Sequence, residues 1–281
     1  MWCGDRGCRG DGDEGGIGRG GTGCGEKRSK AREYQKTRED QAHRSYLNYI
    51  YWANMVPHLL DNPAWSALTT AHANFALGTD RAKRYKPEVL PFVGFAHEAG
   101  APQLDPFIDP GESFYIIGRL PQLPAHWTLE LELPCAQLMA PEDVGALPPV
   151  DEEIVMLREE DKEEMYRLVT AVQPGYYNPD TRRLGTYFGI RKEGRLVAMA
   201  GERMRMTGFT EVSAVVTAPG YTGRGYAQQL MTQLCQRLAA TGYWPYLHVS
   251  KANERALRLY NHLGFEHRRD ISFWRVKKTA G

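Results

Sequence analysis

The residues of this chain best suited to chemistry are a glycine-punctuated turn, two carboxylates upstream of it and a tyrosine downstream. The turn reads Gly220-Tyr221-Thr222-Gly223-Arg224-Gly225-Tyr226-Ala227. Before it runs Val212-Ser213-Ala214-Val215-Val216-Thr217-Ala218-Pro219, a β-branched stretch of strand length. After it, Ala227, Leu230, Met231, Leu234, Cys235 and Leu238 fall at helical spacing and make one face apolar. A strand, a glycine turn and a helix N-terminus in that order suit a phosphate. The first helix amides have no partner inside the helix and carry about half a positive charge, and glycine lets the backbone approach an anion. This is not a P-loop, because Tyr226-Ala227 stand where Lys-Ser or Lys-Thr would be needed. It is not a dinucleotide fingerprint either, since only Gly223 and Gly225 sit in the turn where three glycines are required.

A second stretch lies downstream. Tyr246-Leu247-His248-Val249 reads as a strand, followed by a helical pattern in which Asn253, Ala256, Leu257 and Tyr260 share a face. Gly264 is placed to stop that helix, just before Phe265. The turn, together with Pro219, resembles the coenzyme A loop of the GNAT superfamily of N-acetyltransferases, with Thr222, Gly225 and Ala227 at its key positions. It departs at Thr222, where that superfamily usually has Arg or Gln, so a hydroxyl replaces a charge. The Asn253, Ala256, Tyr260 and Gly264-Phe265 spacing is similar to the last segment of the same superfamily. Two matched segments in the right order are more specific than either, and the resemblance covers about residues 151 to 276.

The resemblance implies an acetyl-CoA-dependent N-acetyltransferase with no metal. It assigns the pyrophosphate to the backbone amides of Gly223, Arg224, Gly225, Tyr226 and Ala227, with side-chain contacts from Thr222 and Arg224. The strand ahead of the turn is expected to splay from its neighbour. The backbone of Val215, Val216 and Thr217 then pairs with the pantetheine arm, and the Val215 amide polarises the thioester carbonyl. Asn253 is expected beside the pantetheine chain and Tyr260 as the acid for the leaving thiolate. An alkyl amine is mostly charged at neutral pH, its pKa being about 10, so a carboxylate is expected as base. Glu211 is the first candidate, eleven residues before Thr222, and Glu202 the second. The plainer readings are a surface strand for either glutamate and a core position for Tyr260. His248 reads as a packed strand histidine. Cys235 sits on an apolar helix face, which favours direct attack in a ternary complex over an acyl-cysteine. The expected acceptor is a small amine or amino-acid-like molecule. Protein N-terminal or lysine acetylation, transfer of a longer acyl chain, and coenzyme A binding without catalysis remain as alternatives.

The rest of the chain must position these residues. With 281 residues there is room for one large or two small domains, and 42% hydrophobic content suits a packed core. Net charge of +1 points to neither nucleic acid nor an acidic membrane, and no apolar run is long enough to span a bilayer. Five cysteines, an odd number, suit a reducing cytoplasm, and a monomer or homodimer is expected. Residues 1–54 read as a disordered, glycine-rich and charged tail. Its Gly16-Ile17-Gly18-Arg19-Gly20-Gly21 lacks a flanking strand, and Cys3, Cys8 and Cys24 are irregularly spaced for zinc. Met55 is a candidate native start. Residues 55–150 read as a smaller α+β domain, similar to the degenerate half of glycine N-acyltransferase-like proteins. In it Trp65, Leu68, Thr69 and His72 share a helical face and Leu129-Glu130-Leu131-Glu132-Leu133 alternates as a half-buried strand. A proline-containing linker at 141–151 leads to the 151–281 domain, where Asp161 and Glu164 suggest a capping box. The expected fold is α/β (α+β), with a mixed, mostly antiparallel central sheet flanked by helices.

Overall fold

In a computed structural model the described residues are 59–145 and 152–279. The expectations for residues 1–54, including the tail, its cysteines and Met55, lie outside them. The described residues all fall within one compact unit. Its strands are β1 (Ala76–Gly78), β2 (Ala82–Tyr85), β3 (Phe92–Phe95), β4 (Ser113–Ile117), β5 (Trp127–Met139) and β6 (Ile154–Leu157). They continue with β7 (Tyr187–Lys192), β8 (Arg195–Met206), β9 (Phe209–Thr217), β10 (Trp244–Ser250) and β11 (Glu266–Lys278). The helices are α1 (Pro63–Leu68), α2 (Ala101–Leu104), α3 (Lys162–Val172), α4 (Tyr226–Ala240) and α5 (Glu254–His262). All the strands share one sheet, ordered β1-β2-β3-β4-β11-β5-β10-β9-β8-β7-β6. Only β3–β4 and β9–β10 pair in parallel. The sheet runs through the expected linker without a break: β5, from before residue 141, lies between β10 and β11.

Alternation along the strands splits the core into two faces. Leu230, Met231, Leu234, Cys235 and Leu238 of α4 pack with Val212, Leu247 and Val249 on one face. On the other, α3 packs Met165, Leu168 and Val169 against Met199, Ala214 and Val216, while α1 packs against Cys135 and Phe273. Burying one such leucine or valine contributes about 2 kcal/mol, which explains why the 3.6-residue pattern of α4 was readable.

Three local expectations change. The helix begun at Pro63 ends at Leu68, and the chain passes through a 3-10 turn into β1, so Thr69 and His72 do not continue its face. Asp161 stands at the N-cap of α3, but its side chain makes no capping bond there. Its carboxylate accepts from the Arg158 amide at 2.7 Å, and Glu164 instead takes Arg191 and the Leu196 amide. Residues 128–132 of β5 are exposed rather than half-buried, because β10 pairs only with residues 135–139 of that strand.

Candidate active site

The β9–β10 pairing runs only from Phe209 and Trp244 to Glu211 and Tyr246. Beyond it, residues 212–217 and 247–250 stay in strand conformation without pairing to each other, so the two strands part. At the same place β9 carries a bulge. Met199 and Gly201 of β8 oppose Val216 and Ser213, leaving one extra residue on β9. Ala214 absorbs it with φ of 52°, a conformation most side chains avoid. The bulge also reverses the alternation. Val212 faces α4, whereas Ala214 and Val216 face α3, and Val215 packs toward α4. The extra residue leaves main-chain groups of β9 without a partner in the β8 ladder.

The chain leaves β9 through the glycine turn. Gly220, Gly223 and Gly225 have φ of 85°, 81° and 79°. A Cβ at Gly220 or Gly223 would meet nothing within 4 Å, so at those positions glycine is needed for backbone conformation alone. Gly225 is the N-cap of α4, and no side chain caps the helix. The first ladder bond runs from the Gln229 amide to the Gly225 carbonyl at 3.1 Å, so the amides of Tyr226, Ala227 and Gln228 precede it. Arg224 steadies the turn rather than reaching away: it donates to the Gly220 carbonyl at 3.3 Å and lies over the Tyr221 ring at 5.1 Å. Thr222 is exposed. An open parting of two strands, a bulged strand segment and an uncapped helix end together fit a thioester on a long arm with a diphosphate.

Tyr260, on α5, is 8% exposed and shares a cluster with Tyr226, Val215 and Tyr221. Burial pushes its phenol well above the usual 10, so it is protonated at neutral pH. Asn253 caps α5, its side-chain oxygen accepting the Ala256 amide at 3.1 Å. Gly264, at φ of 78°, ends the helix as its position suggested.

Glu211 stands at the last paired position of β9, where the strands part, and is fully buried. Arg203 donates to it twice, from Nε at 2.7 Å and Nη2 at 2.6 Å. His248 Nδ1 is 2.7 Å from the same carboxylate. Burial alone would raise this carboxyl; Arg203 and His248 outweigh it and hold it down at about 2. A carboxylate so stabilised takes up a proton poorly at neutral pH, and it is not the surface residue of the plainer reading. Glu202 pairs with Arg205, and its other oxygen is buried without a partner among the described residues.

The pair at Glu211 belongs to a longer chain of side chains. Gln137 Nε2 is 2.9 Å from His248 Nε2 and donates to the Leu60 carbonyl at 2.8 Å, while its oxygen accepts from Arg268 at 2.6 Å. Gln137 thus donates to His248 Nε2, which places the imidazole proton on Nδ1, facing Glu211. Arg203, Gln137 and this role of His248 were missed from sequence because three of the participating strands are distant in the chain. The one local signal is the charged run Glu202-Arg203 with Arg205, which ends the otherwise apolar first half of β8. Cys235 is buried on the α4 face and its thiol is pushed up to about 12, as is that of Cys135.

Residues 151–265 match the Acetyltransferase (GNAT) family. Among solved structures, a protein from Novosphingobium aromaticivorans DSM 12444, assigned to the GNAT acetyltransferases, is 34% identical with a TM-score of 0.72. The match covers 79% of this chain and 99% of that one. A GCN5-related N-acetyltransferase from Kribbella flavida shares the fold at 17% identity and a TM-score of 0.53, over 78% of this chain and 95% of its own. No curated protein matches the chain. The chain belongs to the GNAT family. It is thereby an N-acetyltransferase, of a family whose members use acetyl-CoA.

Proposed function

We propose that this protein acetylates the amine of a small, amino-acid-like acceptor by direct attack within a ternary complex. The reading is carried by one coincidence: the parting of β9 and β10, the bulge at Ala214 and the uncapped end of α4 all meet at one corner. When bound, acetyl-CoA supplies an acyl group activated as a thioester. The amides at Gly223, Arg224, Gly225, Tyr226 and Ala227 grip the diphosphate. The free edge at Val215, Val216 and Thr217 aligns the arm, and the Val215 amide polarises the carbonyl. Tyr260, kept protonated by burial, donates to the departing sulfur. Thr222 and Asn253 add polar contacts. Glu211 organises charge through Arg203 and His248, and Glu202, held by Arg205, is the carboxylate that takes the proton the amine sheds as its bond to the acetyl carbon forms and the carbon–sulfur bond breaks. The two buried thiols, at about 12, are protonated and unsuited to an acyl-cysteine route, which supports direct attack.

The test is thiol release from acetyl-CoA with an amine library, beside calorimetry of acetyl-CoA binding. Gly225→Val places a branched side chain at a left-handed φ against the diphosphate and is expected to abolish binding. Tyr260→Phe is expected to lower turnover about a hundredfold with little change in affinity. Retained affinity in the first variant, or unchanged turnover in the second, removes the corresponding role.

A further inference from the structure

On the face of β7, β8 and β9 that packs against α3, three polar groups lack partners where partners are expected. The Tyr187 and Tyr177 hydroxyls are buried and take no hydrogen bond among the described residues. Their rings meet edge to face, 6.0 Å apart. Tyr187 lies across Gly201, where a Cβ would come within 2.0 Å of its ring, so the glycine admits the tyrosine. Gly201 is in register with Ser213, beside the bulge at Ala214. Two residues beyond Gly201 stands Arg203, whose Nε and Nη2 are taken by Glu211; its Nη1 takes no hydrogen bond among the described residues and, unlike the two hydroxyls, is not sealed from solvent. Each of these side chains is at least nine-tenths buried: Tyr187 is 2% exposed, Tyr177 7% and Arg203 7%.

A buried hydroxyl without a partner costs stability, and a protein with no use for it would do better with phenylalanine. Two phenolic O–H groups and one guanidinium N–H edge on one face outnumber the buried acceptor left without a partner near them, Glu202 Oε1. The group that matches them accepts only, as a carboxylate does. We propose that Tyr187, Tyr177 and Arg203 are specificity-determining residues that hold a carboxylate carried by the acceptor, next to the amine that reacts at the bulge. The acceptor class is then the α-amino acid. The assignment rests on the acetyl-transfer reading and narrows it.

The full chain is assayed with glycine, alanine and phenylalanine beside methylamine, ethylamine and phenethylamine, each pair differing by the carboxylate. The same compounds are added to the protein with coenzyme A, and the shift in melting temperature is read. The amino acids are expected to have the higher kcat/KM and to raise the melting temperature. Tyr187→Phe is expected to cut the preference for the carboxylate about tenfold while melting at or above the wild-type temperature. A merely structural tyrosine would leave the preference untouched. Acetylation of the amines without preference overturns the carboxylate site and leaves acetyl transfer standing. Stabilisation by amino acids, lost in Tyr187→Phe, with no acetylation of any amine, overturns the transfer reading and keeps the site. Neither stabilisation nor preference overturns the site outright.

Discussion

Glu211 and Arg203 are nearly sealed from solvent and hydrogen-bond to each other twice, so removing one leaves the other as a buried, uncompensated charge. Glu211→Gln is therefore expected to cost about 3–5 kcal/mol, far more than the loss of an exposed pair. Glu211→Met combined with Arg203→Met removes both charges and is expected to cost less than the single change. Thermal melting of the three proteins checks this; a single variant milder than the double would mean that the two charges do not compensate each other. The aromatic face of Phe92, 4.9 Å from the Arg203 guanidinium, adds a second hold on the same cation.

At the scale of elements, the bulge and the turn set where a ligand can lie. Ala214 sits in a left-handed conformation that a β-branched side chain tolerates poorly. Ala214→Val is expected to lose about 2 kcal/mol, and to lower kcat more than tenfold by moving the free edge at Val215. Circular dichroism melting and initial rates test both, and full activity would mean the bulge positions nothing. Much of this region was legible in sequence for a physical reason. The turn glycines, the apolar face of α4 and the Asn253-to-Gly264 helix are local patterns, each settled within a few residues. The part that was not legible depends on strands far apart in the chain. Nothing near Glu211 announces that Arg203, His248 and Gln137 will surround it. Likewise nothing near Leu129 announces that β10 stops short of it and leaves residues 128–132 exposed. Asp161 misled because a 3-10 turn at 159–161 precedes α3, and the Asp161 carboxylate closes that turn onto the Arg158 amide instead of capping the helix that follows.

For the whole molecule, two buried groups make stability depend on pH. His72 is 3% exposed, and burial lowers it to about 4, so its neutral form is the folded one. The unfolded chain binds this proton near 6.5, so its contribution is lost as pH falls from about 6.5 to 4. Glu211, held at about 2, contributes above its unfolded value, and that contribution is lost as pH falls from about 4.5 to 2. Each is worth on the order of 3 kcal/mol. His72→Gln is expected to flatten the melting temperature between pH 6.5 and 4 only; an unchanged slope there would place the proton elsewhere. The sheet's order carries the larger consequence. β11 pairs only with β4 and β5, both contributed by residues before 141. A fragment of residues 151–281 would keep the glycine turn, Tyr260 and Glu211, yet β11 would have no neighbour and β10 only its short parallel pairing with β9. Unpaired main-chain groups in a strand with a buried apolar face leave such a fragment open to aggregation. It is expected to show no cooperative melting alone, and to regain it when the fragment of residues 1–145 is supplied and β5 slots between β10 and β11. Cooperative melting of the 151–281 fragment by itself would show that the family segment carries its own complete sheet, and that β5 is an addition rather than a part of it.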